Sequence, residues 1–131
     1  MLIEHFFVDN RAGFRLAVTR TRASAEVRGR PVLIVPGYGM NSFIFAFHPN
    51  GPSLVASLAA RGLEVWTVDL RGQGRSIRGD GSVRYGLADL AIDDLTAVIE
   101  HVLATTKTTM KQLDLIGCSL GTALSFAHVA C

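Results

Sequence analysis

Apolar and polar positions in the first 35 residues follow the patterns of β-strands. Residues 2 to 8 and 14 to 20 are two runs of strand length, and residues 9 to 13 between them have the composition of a turn. The two runs predict an N-terminal hairpin. Residues 31 to 35 form a continuous apolar run that ends at Pro36 and Gly37, which is typical of a strand buried on both faces of a sheet.

Helical spacing of apolar residues replaces the strand pattern in two later segments. The first predicts a short helix that starts at Ser53 and ends at Gly62. The second, from Gly86 to Thr106, predicts an amphipathic helix with an acidic outer face. Its apolar positions are Leu87, Leu90, Ala91, Leu95, Val98 and Val102, and its acidic positions are Asp89, Asp93 and Glu100.

Two more strands are predicted, each followed by an element of a different kind. Residues 63 to 69 are rich in β-branched and aromatic side chains and precede a glycine-containing loop at residues 71 to 76. Residues 113 to 116 form a short strand, and residues 119 to 131 have the composition of a packed helix. The order of elements predicts an α/β fold, in which an N-terminal hairpin is followed by parallel strands with crossover helices on both faces of the sheet.

Composition favours one globular domain over residues 1 to 131. Hydrophobic residues make up 49% and charged residues 18% of the chain, which excludes disorder. The net charge is only +2 and the arginines are scattered from Arg11 to Arg84, so nucleic acid is not an expected partner. No stretch reaches the ~18 apolar residues of a membrane span, and Glu4 and Asp9 interrupt any signal peptide.

The cysteines and glycine pairs argue against metals and nucleotide cofactors. Cys118 and Cys131 are too few for a disulfide framework and have no zinc-site spacing, which predicts a reducing, cytoplasmic location. Glycine pairs at positions 37 and 39 and at positions 72 and 74 lack the third glycine of a dinucleotide fingerprint. We therefore expect neither a metal ion nor a cofactor.

Catalytic chemistry is suggested by Gly117-Cys118-Ser119-Leu120-Gly121, between the last strand and the last helix. A serine on a sharp strand-to-helix turn projects its hydroxyl beyond the sheet, and Gly117 and Gly121 leave the space that such a turn needs. The alternative is that Ser119 only caps the helix. The loop after residues 31 to 35 lies where a second oxyanion donor is expected, so the backbone N–H groups of Tyr38 and Leu120 are the candidate donors.

Three segments together resemble the α/β-hydrolase fold family: VLIVPGYGMN, GLEVWTVDLRGQGRS and LDLIGCSLG. The stretch NGPSLVASLAARGLEVW is also similar to acid lipases and polyhydroxyalkanoate-synthase-like members, although the synthases have Cys at the position of Ser119. The resemblance implies a serine hydrolase acting on carboxylic esters. Cofactor-free peroxidases, acyltransferases and peptidases of the family share these residues, so the reaction stays open among them.

The partners that would activate Ser119 are missing from the rest of the sequence. In the family the order is Ser, acid, His, but no Asp or Glu follows Ser119, and His128 lies roughly 13 Å further along the same predicted helix. His101 is interpreted as a solvated surface residue, and Asp69 as an organiser of the 71 to 76 loop. We therefore expect residues 1 to 131 to be a single incomplete domain, truncated after the nucleophile helix, with the strand at 113 to 116 on a sheet edge.

Two expectations about partners follow. The substrate is a small ester, with lipid-like esters suggested by an apolar group at Met40, Phe43, Ile44, Phe45 and Phe47. Packing under the site is the simpler interpretation of that group, and we favour it. The alternative to an enzyme is a non-catalytic remnant or half-domain that binds another chain, or a second copy of itself, through the open sheet edge.

Overall fold

A mixed six-stranded sheet organises the computed structural model, which describes residues 1–131. The strand order is β1-β2-β4-β3-β6, with β5 beside β2. The first hairpin and the β2-β4 pair are antiparallel, whereas β3 is parallel to both β4 and β6. The predicted hairpin followed by parallel strands is therefore confirmed. The strands are β1 (Leu2–Asp9), β2 (Phe14–Arg22), β3 (Val32–Val35), β4 (Val65–Val68), β5 (Ile77–Arg78) and β6 (Asp114–Gly117).

The helices connect the parallel strands. They are α1 (Phe43–Ala46), α2 (Leu54–Ala60), α3 (Leu95–Thr105) and α4 (Leu120–Ala130), and a π-helical segment (Asp89–Asp94) leads into α3. The start and stop signals of α2 act as predicted, since the Ser53 hydroxyl accepts a hydrogen bond from the Ala56 amide and Gly62 takes a positive φ of 88°. None of the helices combines the length and the apolar content needed to cross a bilayer.

Alternate side chains of the central strands build two apolar layers. Leu33 and Val35 of β3 join a large core with the hairpin, α3 and α4. Ile34, between them in sequence, points to the other face and packs with Val55 and Ala59 of α2. Helices therefore cover both faces of the sheet, as the element order predicts.

A buried ion pair joins three segments on the α3 side. Asp94, at the end of the π-helical segment, is fully buried and accepts hydrogen bonds from Asn10 Nδ2 (2.8 Å), Arg71 Nε (3.0 Å) and the Arg71 amide (3.1 Å). The guanidinium lies over the rings of both Phe14 and Tyr85, which contact each other edge to face. Burial alone would lower the pKa of Arg71, but the hydrogen bond and charge of Asp94 outweigh it and the pKa is raised.

A second group of charges lies along the hairpin. Arg20 and Arg22 both donate to the carboxylate of Glu4, with Arg20 Nη2 at 2.7 Å from Glu4 Oε1. The hydrogen bond from Arg20 is the largest cause that lowers the pKa of Glu4 to about 2. This pairing accompanies the extension of β2 to Arg22, two residues past the predicted end of the strand.

Strand β6 forms one edge of the sheet. It pairs with β3 along Asp114–Gly117 and has no strand on its other side. Its residues are exposed or half-buried, whereas every residue of β3 and β4 is buried. The expected edge position of this strand is confirmed.

Candidate active site at the β6–α4 turn

Ser119 occupies a strained turn between β6 and α4. Its φ of 53° and ψ of −116° lie outside the regions that a residue with a side chain normally adopts. The side chain is exposed and makes no capping hydrogen bond to the helix. A capping hydrogen bond therefore does not explain the conformation of Ser119, and its hydroxyl is exposed.

The flanking glycines are required by close backbone contacts. A Cβ at Gly121 would overlap the carbonyl oxygen of Val35 and lie 2.6 Å from that of Pro36. A Cβ at Gly117 would lie 2.6 Å from the Thr122 amide nitrogen and overlap the Thr122 Cα. Both glycines therefore allow the start of α4 to sit directly against β3 and β6, which is the steric requirement inferred from the sequence.

The loop after β3 runs past this turn. A Cβ built on Gly37 would be 3.2 Å from the Ser119 Cβ and 2.9 Å from the Cys118 carbonyl oxygen, so the two backbones are in contact there. The next residue, Tyr38, has an exposed side chain. Neither the Tyr38 amide nor the Leu120 amide donates to a turn, loop or cap carbonyl. The structure thus leaves both candidate oxyanion donors unused, beside the turn that carries Ser119.

Asp69, at the end of β4, holds two loops together. It is buried, and its Oδ1 accepts from the Ser42 amide at 2.7 Å while its Oδ2 accepts from the Arg75 amide at 3.0 Å. The second bond organises the 71 to 76 loop, as expected. The first bond, which the sequence did not suggest, fixes the far end of the loop that contains Tyr38.

No histidine hydrogen-bonds Ser119. His128 Nδ1 lies 2.9 Å from the Ala91 carbonyl oxygen, His5 Nδ1 is 3.0 Å from Thr19 Oγ1, and His48 Nδ1 accepts from the Asn50 amide. The structure describes no group of three or more His, Cys, Asp and Glu side chains that could hold a metal ion.

The interpretation of His101 as solvated is wrong. Its ring contacts those of Phe6 and Trp66, with centroids 5.0 and 5.8 Å apart, and its Nε2 is buried without a hydrogen-bond partner. Burial, with a smaller contribution from the charge of Arg20, lowers its pKa. The helix pattern missed this because the aromatic rings come from strands far away in the sequence.

The interpretation of the apolar loop residues as packing under the site is wrong for three of the five. Phe43, Ile44 and Phe47 are all more than half exposed, and only Phe45 is buried. Phe43 and Phe47 stack on each other with centroids 5.1 Å apart. The short helix α1, which the sequence did not predict, turns these side chains outward near the Tyr38 loop.

The main cleft of the molecule is not lined by Ser119. It has a volume of about 500 Å³ and is formed by one face of β1 and β2 together with α1 and α2. Its lining includes Ile3, Thr19, Thr67 and Arg75. Since it excludes Ser119, Tyr38 and Leu120, this cleft is not the site described above.

The fold is similar to that of several solved structures, two of which are epoxide hydrolases. An epoxide hydrolase from Vigna radiata matches with a TM-score of 0.71 and 21% identity over 98% of this chain and 34% of its own. A laboratory-evolved variant of potato epoxide hydrolase matches with a TM-score of 0.73 and 19% identity over 99% of this chain and 36% of its own. DcsB, in a complex with its substrate analogue, matches with a TM-score of 0.74 and 18% identity over 98% of this chain and 41% of its own.

The comparisons also show how much of each protein is matched. The chain spans about a third of the length of the first two solved structures. It has no significant match among curated protein sequences. The model of the alpha/beta hydrolase family matches residues 32–131, from β3 through α4, and so includes both the Tyr38 loop and the Ser119 turn. The resemblance seen in the sequence is confirmed, and the chain belongs to the α/β-hydrolase family.

Proposed function

We propose that this hydrolase-family chain carries the nucleophile and oxyanion donors of a serine hydrolase that acts on carboxylic esters. The observation that carries the proposal is the strained, exposed Ser119, with the unused amides of Tyr38 and Leu120 beside it. Strain of this kind persists where the surrounding structure enforces it, and it concentrates at functional sites.

The proposed chemistry follows from these groups. The Ser119 oxygen attacks the ester carbonyl carbon, and the electron pair of the C=O bond moves to oxygen. The Tyr38 and Leu120 N–H groups stabilise that oxyanion, which then expels the alcohol and leaves an acyl-enzyme. Water attacks the acyl-enzyme and releases the acid. In the first step a base must take the Ser119 proton and pass it to the departing alkoxide, which leaves as the alcohol. In the second step the base takes a proton from water and returns it to the Ser119 oxygen, which restores the hydroxyl.

Epoxides are the second candidate substrate class, because two of the similar structures are epoxide hydrolases. Attack of a serine oxygen on an epoxide carbon would form an ether. An ether has no carbonyl group for water to attack, so the enzyme could not be regenerated by the same route. Ser119 therefore favours acyl substrates over epoxides.

The base and the acid are proposed to come from polypeptide outside residues 1–131. The four histidines are engaged elsewhere or buried, and two of the similar structures are nearly three times as long as this chain. On this proposal residues 1–131 form an N-terminal, incomplete domain. Cys118 and Cys131, both free thiols, suit a reducing compartment such as the cytoplasm.

Lipid-like acyl groups are the proposed subclass of substrate. Phe43, Ile44 and Phe47 are exposed on α1, which follows the Tyr38 loop directly. A cluster of exposed apolar side chains near the oxyanion position would lower the free energy of an alkyl chain bound there by removing it from water.

The test supplies the base from solution. The 131-residue chain is incubated with p-nitrophenyl butyrate and increasing imidazole, and the reaction of free imidazole with the ester is subtracted. We expect a slow, imidazole-dependent hydrolysis that Ser119→Ala abolishes and Ser125→Ala, a matched change in α4, leaves in place. Mass spectrometry after treatment with a fluorophosphonate should find the adduct on Ser119. Equal rates for the wild type and Ser119→Ala would contradict the proposal, and turnover of styrene oxide by the wild type alone would favour the epoxide alternative.

Association through the β6 edge is the second candidate function. The strand has no partner on its outer side, and Phe126 and Val129 of the neighbouring α4 are 72% and 73% exposed. An unpaired edge with an apolar helix beside it is a template for pairing with another chain. Light scattering should find species larger than the monomer, and Phe126→Asp should shift them towards the monomer. A monodisperse wild-type monomer would contradict this candidate.

A further inference from the structure

A glutamine side chain from the loop after β4 reaches the Tyr38 loop. Gln73 Nε2 donates to the carbonyl oxygen of Gly37 at 3.3 Å. The donor must be the nitrogen of the amide, because a carbonyl oxygen can only accept. The same carbonyl also accepts from the Met40 amide at 3.2 Å, which closes the turn.

The Gly37 carbonyl belongs to the same peptide group as the Tyr38 N–H. Because that group is planar and trans, fixing the direction of the C=O bond also fixes the opposite direction of the N–H bond. A hydrogen bond to the carbonyl also polarises the group and strengthens its N–H as a donor. We propose that Gln73 is a positioning residue, which orients and polarises the Tyr38 amide for the oxyanion. This inference rests on the proposed function.

The loop that carries Gln73 is built rigidly. The Gln73 amide donates to the Leu70 carbonyl at 3.1 Å, and the Ser76 amide donates to the Gln73 carbonyl at 3.1 Å. Gly72 and Gly74 both take positive φ values, and a Cβ on Gly74 would overlap the Asp69 carboxylate. This backbone fixes where the Gln73 side chain begins, and its hydrogen bond to Gly37 holds the amide at the Tyr38 loop.

The other end of the Gln73 amide is buried. Its Oε1 has no hydrogen-bond partner, and an unpaired buried acceptor has a free-energy cost. In the observed orientation of the Gln73 amide, the nitrogen contacts Gly37 and the oxygen stays unpaired. A residue selected only to fill space at this position would not need an amide, whereas a residue that must donate to Gly37 does.

The first readout is independent of catalysis. The ¹³C shift of the Gly37 carbonyl and the ¹⁵N shift of the Tyr38 amide are measured in the wild-type chain, in Gln73→Ala and in Gln112→Ala, the matched change at the other, exposed glutamine. We expect both shifts to move in Gln73→Ala and to stay in place in Gln112→Ala. Unchanged Gly37 and Tyr38 signals in Gln73→Ala would overturn the inference.

The second readout is the rate at which a fluorophosphonate labels Ser119. Removing an oxyanion donor outright costs roughly 10²–10³-fold in rate, so we expect about a tenfold slower reaction when the donor is only loosened by Gln73→Ala. Gln73→Glu separates positioning from folding. Its carboxyl can donate to Gly37 when protonated and repels that carbonyl when ionised. Its rate relative to Gln73→Ala should therefore rise from about pH 7 to about pH 4, across the ordinary glutamate pKa of about 4.3.

The two proposals fail in different ways. The proposed function is tested by comparing the wild type with Ser119→Ala. Equal labelling of these two proteins would refute it. Ser119-dependent labelling that Gln73→Ala leaves at the wild-type rate would refute the role of Gln73, whatever the shifts show. A pH-independent ratio of Gln73→Glu to Gln73→Ala would also count against it.

Discussion

The two halves of the sheet, taken along the strand order, are stabilised by different interactions. The braced half, which consists of β1, β2 and β4 with the π-helical segment, is held by buried charges such as Asp94 with Arg71. The elbow edge, which consists of β6, the start of α4 and the Tyr38 loop, is held by backbone contacts at glycines and contains the strained Ser119. In the braced half several hydrogen bonds converge on one buried carboxylate, that of Asp94, whereas the elbow edge depends on close backbone contacts at two glycines. The strained Ser119 thus lies in the half of the sheet that is held by close backbone contacts.

The largest expected effect is on the braced half. Asp94→Ala would leave the buried Arg71 guanidinium without its partner, and we expect the free energy of unfolding to fall by about 3–5 kcal/mol. Urea unfolding followed by circular dichroism measures this. Asp93→Ala, which removes a half-exposed carboxylate 3.6 Å from the same guanidinium, should cost less than about 1 kcal/mol. Equal losses would mean that burial does not distinguish the two carboxylates.

A smaller effect is expected from a methyl group at the elbow edge. Gly121→Ala would place a Cβ against the Val35 and Pro36 carbonyl oxygens, and we expect a loss of about 1–3 kcal/mol in unfolding free energy. Gly86→Ala is the matched control, because no atom lies within 4 Å of its Cβ position and its φ is not positive. The same urea titration serves both. A neutral Gly121→Ala would show that the elbow edge can relax.

The strain at Ser119 can be measured by comparing two substitutions at one position. Both Ser119→Ala and Ser119→Gly remove the hydroxyl, but only glycine adopts the observed backbone without penalty. We expect Ser119→Gly to be more stable than Ser119→Ala by about 1 kcal/mol in unfolding free energy. If the alanine variant is equally stable or more stable, the turn is not strained.

The smallest effect is the acid sensitivity of the hairpin. The pKa of Glu4 is lowered from 4.5 to about 2, so its pairing stabilises the fold above the unfolded pKa and is lost as the pH falls towards 2. We expect the melting temperature of the wild type to fall more steeply than that of Glu4→Gln between these pH values. Identical slopes would show that the pairing of Glu4 adds no stability.

Much of this architecture could be predicted because its causes are local in the sequence. The apolar run before Pro36 indicates a buried strand, and the glycines on either side of Ser119 indicate a turn with little space for side chains. Neither inference depends on which distant segments pack nearby. The strands and the turn were therefore located to within one or two residues. Strand β5 was missed because two residues, Ile77 and Arg78, become a strand only by pairing with β2.

The errors and omissions have non-local causes. His101 lies on α3, but Phe6 and Trp66 from the sheet cover it, and helical periodicity contains no information about those rings. The π-helical segment is a second case, because it ends at Asp94, whose partners Asn10 and Arg71 lie far away in the sequence. The contact from Gln73 to Gly37 joins loops 36 positions apart, so only the folded chain reveals it.

Trp66 has a consequence for how this molecule can be observed. It is the only tryptophan of the chain, it is fully buried in β4, and its indole N–H donates to Glu64 at 2.7 Å. Its fluorescence therefore monitors the centre of the sheet and the hairpin that covers it. Partial opening around Ser119 would leave that emission unchanged, so an optical melting curve would report the unfolding of the central sheet and not a local loss of structure at the β6–α4 turn.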